Sequence, residues 1–179
     1  MNEILCHTKF LDLKTAPTKG GAWVYAHRPN ASDVVIILTK YKNEILFLLE
    51  NRPPILAEKR GKYTVGMPAG LVGDERLGET IEDAIRAELL EEAGLIAEKI
   101  EIKSRKVASS AGCTSETFTV AIVDVLDKKP IQNPVDDNGV IVERIWIEQK
   151  EIFAWLTKME KEGNVLTAQA LSALFYLYE

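Results

Sequence analysis

Gly73 to Leu95 reads GDERLGETIEDAIRAELLEEAGL, and this stretch decides the fold. Thr80 stands as a helix N-cap, with Asp83 three residues on as its capping-box partner. Ile81, Ala84, Ile85 and Leu89 recur at helical spacing and form an apolar stripe. Gly94 is placed as the C′ glycine that ends a helix predicted over Thr80 to Ala93. Glu88, Glu91 and Glu92 then fall at i, i+3 and i+4, so their carboxylates share one face. Like charges so close repel, and a divalent cation would resolve that repulsion. Carboxylate oxygens without Cys or His select a hard ion, Mg²⁺ or Mn²⁺. The competing reading is a solvated acidic face, because Glu is a common helix former.

Working outward, Asp33 to Lys40 and Glu44 to Glu50 are apolar, β-branched runs joined by Lys42-Asn43, which predicts a hairpin. Pro53-Pro54 ends the second strand, and the polar segment from Leu56 to Lys62 is expected to be a surface loop. Trp23 to Arg28 is a further strand candidate, preceded by a turn-rich loop over Thr15 to Gly21. Thr117 to Leu126 and Val140 to Ile147 read as strands, separated by a loop from Lys128 to Gly139. Gln149 to Glu162 and Leu166 to Tyr178 carry apolar residues at helical spacing. Strands mixed with helices, and tight antiparallel turns, argue for an α/β chain: an α/β/α sandwich around a mixed β-sheet. Residues 1–21 are expected to form an N-terminal arm and residues 22–179 the main domain.

At 179 residues the chain is long enough to bury a sizeable core. A net charge of -5 gives no electrostatic footprint for nucleic acid and no attraction to an anionic membrane. Cys6 and Cys113 read as reduced thiols, and with His7 and His27 they make no zinc-spaced cluster. The N-terminus lacks the apolar core of a signal peptide, and no apolar run approaches the roughly 20 residues of a bilayer span. A cytoplasmic protein is expected.

The Gly73–Leu95 stretch resembles the Nudix box, G-x5-E-x7-R-E-U-x-E-E-x-G-U with U aliphatic. Gly73, Glu79, Glu88, Leu89, Glu91, Glu92, Gly94 and Leu95 all fall in register, and Ala87 stands where the box has Arg. Further segments look like the ADP-ribose pyrophosphatase branch of that family. Met67-Pro68-Ala69-Gly70-Leu71 resembles its PAG-L segment, and Arg52-Pro53-Pro54 its Q-x-R-P-P. Ala108 to Glu116 (ASSAGCTSE) resembles its A-S-P-G-G-T-S-E loop, and Trp23 to Arg28 its early W-E-x-V-x-R. The resemblance spans roughly residues 22–178. It implies a Nudix fold and Mg²⁺-dependent hydrolysis of ADP-ribose or a related nucleoside diphosphate sugar. It also implies a homodimer, with the N-terminal segment in the interface.

Carried onto this chain, the resemblance assigns metal to Glu88 and Glu92, with Glu91 nearby and the Ala69 carbonyl as a further ligand. Arg52, Trp23, Arg28 and Leu71 fall to the substrate. Two readings stand for Arg52, a phosphate contact or an ordinary surface arginine at a strand end. Two also stand for Trp23, a stacking partner for adenine or a packing residue under the arm. The general base is either Glu91 or an acid of the late loop, Asp136 or Asp137, whose other reading is a turn before Asn138-Gly139.

The chain departs from the pattern at several places. Arg86 sits about 100° around the helix from Ala87 and cannot stand in for the box Arg. Gly70 lies nine residues before Glu79 rather than six, Gly66 stands where the branch has Glu, and Ala111 replaces a loop proline. Two rivals therefore accompany the leading expectation. One is a Nudix hydrolase of another nucleotide, such as a dinucleoside polyphosphate, NADH or a damaged nucleoside triphosphate. The other is a catalytically weak domain that senses a nucleotide.

Overall fold

The polypeptide alternates strands and helices so that one mixed sheet is covered on both faces. The computed structural model describes residues 3–74, 78–134 and 140–178. The strands are β1 (Glu3–His7), β2 (Asp12–Thr18), β3 (Gly21–His27), β4 (Asp33–Tyr41), β5 (Glu44–Glu50), β6 (Thr64–Gly66), β7 (Ala69–Val72), β8 (Ala97–Ala108), β9 (Thr117–Val125), β10 (Ile141–Glu148) and β11 (Val165–Leu166). The helices are α1 (Pro53–Ala57), α2 (Ile81–Ala93), α3 (Ile152–Lys161) and α4 (Ala168–Leu177), with a 3₁₀ turn over Gln149–Glu151 before α3.

The main sheet runs β11-β6-β5-β4-β9-β8, with β10 added on β5 and β7 on β4. β4 pairs with β9 in parallel and β11 with β6 in parallel, while the other pairs are antiparallel. Alternation along β4 divides the core. Val35 and Ile37 face α2, where they meet Ile85, Leu89, Ala121 and Val123. Ile36 and Leu38 face the opposite layer, with Phe47, Ile152, Leu156 and Leu174. Ile85 and Leu89 are fully buried, and burying such a side chain contributes roughly 1.5–3 kcal/mol. The α/β/α sandwich expected from sequence is therefore the observed architecture.

Several local expectations are corrected. Pro53-Pro54 does end β5, but it also starts α1, because the fixed φ of proline suits the first helical turn. Thr15 to Thr18 is not loop; it continues β2 against β3, and the turn is confined to Lys19-Gly20. β8 had no clear signal, since its Glu- and Lys-rich sequence belongs to an edge strand exposed along much of its length. The Lys42-Asn43 hairpin stands as expected, with Lys42 at a φ of 54°. β1, β2 and β3 form a separate three-stranded sheet, which spans the boundary at residues 21–22. No helix among the described residues is long and apolar enough to cross a membrane.

Candidate active site

α2 carries the acidic face, and local chemistry fixes where it begins and ends. Thr80 accepts from the Asp83 amide, and the Asp83 carboxylate accepts in return from the Thr80 amide, a closed capping box. Gly94 ends the helix at a φ of 69°, in the left-handed region where glycine is favoured. A Cβ there would also lie 2.5 Å from the Gln132 carbonyl oxygen, so the glycine serves close packing as well. The Gly94 carbonyl accepts from the Ile131 amide at 2.9 Å, tying the following loop to the helix end.

β7 lies alongside α2 and receives Glu92 and Glu88, while Gly73 just after it receives Glu79 from just before the helix. Glu92 Oε2 accepts from the Ala69 amide at 3.0 Å. Glu88 folds its carboxyl over Gly70, where any Cβ would overlap it. Glu79 Oε2 accepts from the Gly73 amide at 3.0 Å, and Gly73 has a φ of 80°. Gly73 thus bonds Glu79 at the box spacing, while Gly70 provides the space for Glu88. A small cleft beside these contacts is lined by Leu71, Asp74, Glu79, Ala87, Glu88 and Glu91.

Burial sets the electrostatics of the C-terminal half of this face. Glu92 is pushed up to about 7, first by desolvation on burial and less by the nearby Glu50, against the opposing pull of the Ala69 amide, Arg52 and Arg144. Arg144 Nε donates to the Glu92 main-chain carbonyl. Glu50 is likewise pushed up by its burial, against the pull of Arg52. Arg86 donates to the Ala97 carbonyl at 2.9 Å, so it does not fill the position vacated at Ala87.

Arg52 follows β5 as α1's N-cap residue and donates to Glu50 Oε1 at 2.5 Å. Trp23 and Arg28 belong to a second group, centred on the loop before β9. Trp23 Nε1 donates to the Gly112 carbonyl at 2.9 Å, while the residue remains 55% exposed. Arg28 Nε donates to Glu116 Oε2 at 3.2 Å. Asp136 and Asp137 fall outside the described residues. Sequence reasoning missed Glu50, Arg144 and Glu116. A carboxylate closing the otherwise apolar run ILFLLE was the available signal for Glu50.

An ion fits this face by the chemistry of its donors. Glu88, Glu91, Glu92 and the Ala69 carbonyl are hard oxygens, with no Cys or His among the cleft residues. Among the described residues, however, no three His, Cys, Asp or Glu side chains converge into a ready-made ligand set. Glu88 and Glu92 lie against β7, whereas Glu91 is exposed. An apolar depression lies elsewhere, between α3 and α4, lined among the described residues by Phe153, Leu171, Leu174, Phe175 and Tyr178, with no carboxylate.

A family model described as the NUDIX domain matches residues 29–169. A Caenorhabditis elegans protein described as "Putative nudix hydrolase 2" is 27% identical over 177 residues, covering 92% of this chain and 76% of that protein. An ADP-ribose pyrophosphatase of Escherichia coli is 25% identical over 146 residues, covering 80% of this chain and 66% of its own length. The crystal structure of an ADP compounds hydrolase matches with a TM-score of 0.73 at 16% identity, over 99% of this chain and 90% of that one, a likeness of fold.

Proposed function

The chain belongs to the Nudix family, and from that premise we propose that it hydrolyses the diphosphate linkage of ADP-ribose or a related nucleoside diphosphate sugar. Water adds to one phosphorus, the bridging P–O bond breaks, and a nucleoside monophosphate and a sugar phosphate leave. The observation that carries this reading is the register of α2 on β7, which brings Glu88 and Glu92 against the backbone of Gly70 and Ala69.

Glu88 and Glu92 would hold Mg²⁺ or Mn²⁺, with Glu91 and the Ala69 carbonyl beside them. Such an ion supplies charge neutralisation of the diphosphate and polarisation of the attacking water. Arg52 offers a guanidinium fork to the diphosphate. Leu71 lines the cleft beside Glu88, Trp23 is exposed and available to a base, and Arg28, paired with Glu116, is a further substrate contact. The proton of the water passes to Glu91 or to the loop acids Asp136 and Asp137.

The N-terminal sheet supports a homodimer. Ile4, Leu5, Phe10, Leu11, Leu13 and Val24 are all exposed apolar residues, a surface that a second subunit would cover. Light scattering tests this directly.

The deciding experiment measures products from a panel: ADP-ribose, UDP-glucose, GDP-mannose, NADH, diadenosine polyphosphates and oxidised nucleoside triphosphates, with and without Mg²⁺. Release of AMP and ribose 5-phosphate, lost in Glu92→Gln, supports the reading. Turnover of a different member moves the substrate. Nucleotide binding without any turnover favours the sensor, the reading that Ala87 supports.

A further inference from the structure

Glu50 ends β5, and the chemistry assigned above does not use it. It is 2% exposed, and a carboxylate so buried needs partners. Arg52 Nη2 supplies one at 2.5 Å, and Thr64 Oγ1 donates to Oε2 at 3.4 Å. The same Oε2 lies 2.6 Å from where a Cβ on Gly66 would stand. Glu50 pairs with Thr64 across the strands and Leu48 with Gly66, so the glutamate reaches diagonally along the sheet to lie over the glycine. Gly66 is not in the left-handed region, so its backbone does not require glycine. What requires glycine there is the space taken by the carboxylate. This is also the position at which the resembled branch carries a glutamate. Here the carboxylate reaches that space from the neighbouring strand.

We propose that Glu50 is a positioning residue for Arg52: its buried carboxylate fixes the guanidinium beside Glu92, ready for the substrate diphosphate, and Gly66 is the glycine that admits it. The inference rests on the diphosphate hydrolase reading. Arg52 has a long side chain that is 47% exposed and would otherwise sample many rotamers. Holding it through Nη2 leaves its other N–H groups for a phosphate, and an arm ordered in advance loses less freedom on binding.

The test compares wild type with Glu50→Gln, Arg52→Ala, the double variant and Gly66→Ala. It measures KM and kcat on the substrate identified by the panel, and calorimetric affinity for ADP. Glu50→Gln is isosteric, and removing a buried charge beside Glu92 should leave its melting temperature no lower than wild type. Its KM and its ADP Kd should rise about tenfold, with kcat within about threefold. Gly66→Ala, which displaces the carboxylate, should show the same split. The double variant should be no weaker than Arg52→Ala alone, because both changes remove one interaction. Unchanged ADP affinity in Glu50→Gln, or additive losses in the double variant, would overturn the role. If wild type turns over nothing, the hydrolase reading fails, and the ADP affinities still decide Glu50. Wild type that neither turns over any panel member nor binds ADP overturns both.

Discussion

The carboxyl of Glu88 occupies the space that a side chain on Gly70 would need. The backbone of Gly70 is not in the left-handed region, so alanine is conformationally acceptable there and only the overlap acts. Gly70→Ala should therefore fold yet swing Glu88 away from β7. A loss of roughly 10- to 100-fold in kcat/KM is expected, the usual scale for misorienting a metal ligand. Wild-type turnover by a folded Gly70→Ala would mean that the position of Glu88 is immaterial.

Ala87 lines the same cleft as Glu79, Glu88 and Glu91. An arginine there would enter a cluster of carboxylates that has no cation among the described lining residues. Ala87→Arg should raise kcat, by roughly tenfold on the scale of a supporting contact around a metal site. Single-turnover kinetics check this, and a slower variant would argue that the cleft has been rebuilt around alanine.

Glu92 titrates at about 7 in the folded chain because it is buried, against 4.5 for an unperturbed glutamate. The folded state then binds this proton more tightly than the unfolded state. Its stabilising contribution is complete below 4.5 and is lost as pH rises through about 7. In chelator, wild type should lose up to about 3 kcal/mol between pH 5 and pH 8 relative to Glu92→Gln. Denaturant melts of both proteins at the two pH values read that difference directly. Parallel curves would show that Glu92 is solvated and ionised throughout.

Thr80→Ala removes the hydroxyl that accepts from the Asp83 amide. The expected loss is about 1 kcal/mol, a drop in Tm of roughly 2–4 °C for a chain of this size. Activity at 25 °C should persist, since α2 remains packed through Ile85 and Leu89. Calorimetry with a parallel assay separates the two effects.

Trp23 spends its indole N–H on the Gly112 carbonyl, which fixes the ring while leaving the residue exposed. If the ring stacks on a base, Trp23→Ala should raise KM roughly tenfold at constant kcat, the scale of base–aromatic stacking. An unchanged KM with a lower Tm would make Trp23 a residue that packs the arm against the body.

The parts legible in the sequence were those governed by local rules. The capping box, the apolar stripe and Gly94 describe α2 without reference to anything distant, and the hairpin at Lys42-Asn43 does the same for β4 and β5. The acidic face was legible for the same reason, because spacing on a helix fixes direction. The carboxylate at the end of ILFLLE marked Glu50, but its burial was not legible. Its burial comes from β6 crossing beside it and from a glycine sixteen residues away, neither of which the strand itself announces. β8 was hidden by its charge, since an edge strand can leave polar residues in water along much of its length. The short helix at Pro53 was obscured because proline reads equally as a strand terminator and as a helix starter.

The bond between the Gly73 amide and the Glu79 carboxylate pins together the end of β7 and the entry to α2. Strand and helix therefore meet at a single joint. The three residues by which Gly70 stands further from Glu79 than the pattern has it are Leu71, Val72 and Gly73, on the strand side of that joint. The added length therefore extends the strand arm and leaves the six-residue reach from Gly73 to Glu79 as it was, so the helix keeps its station while the strand grows.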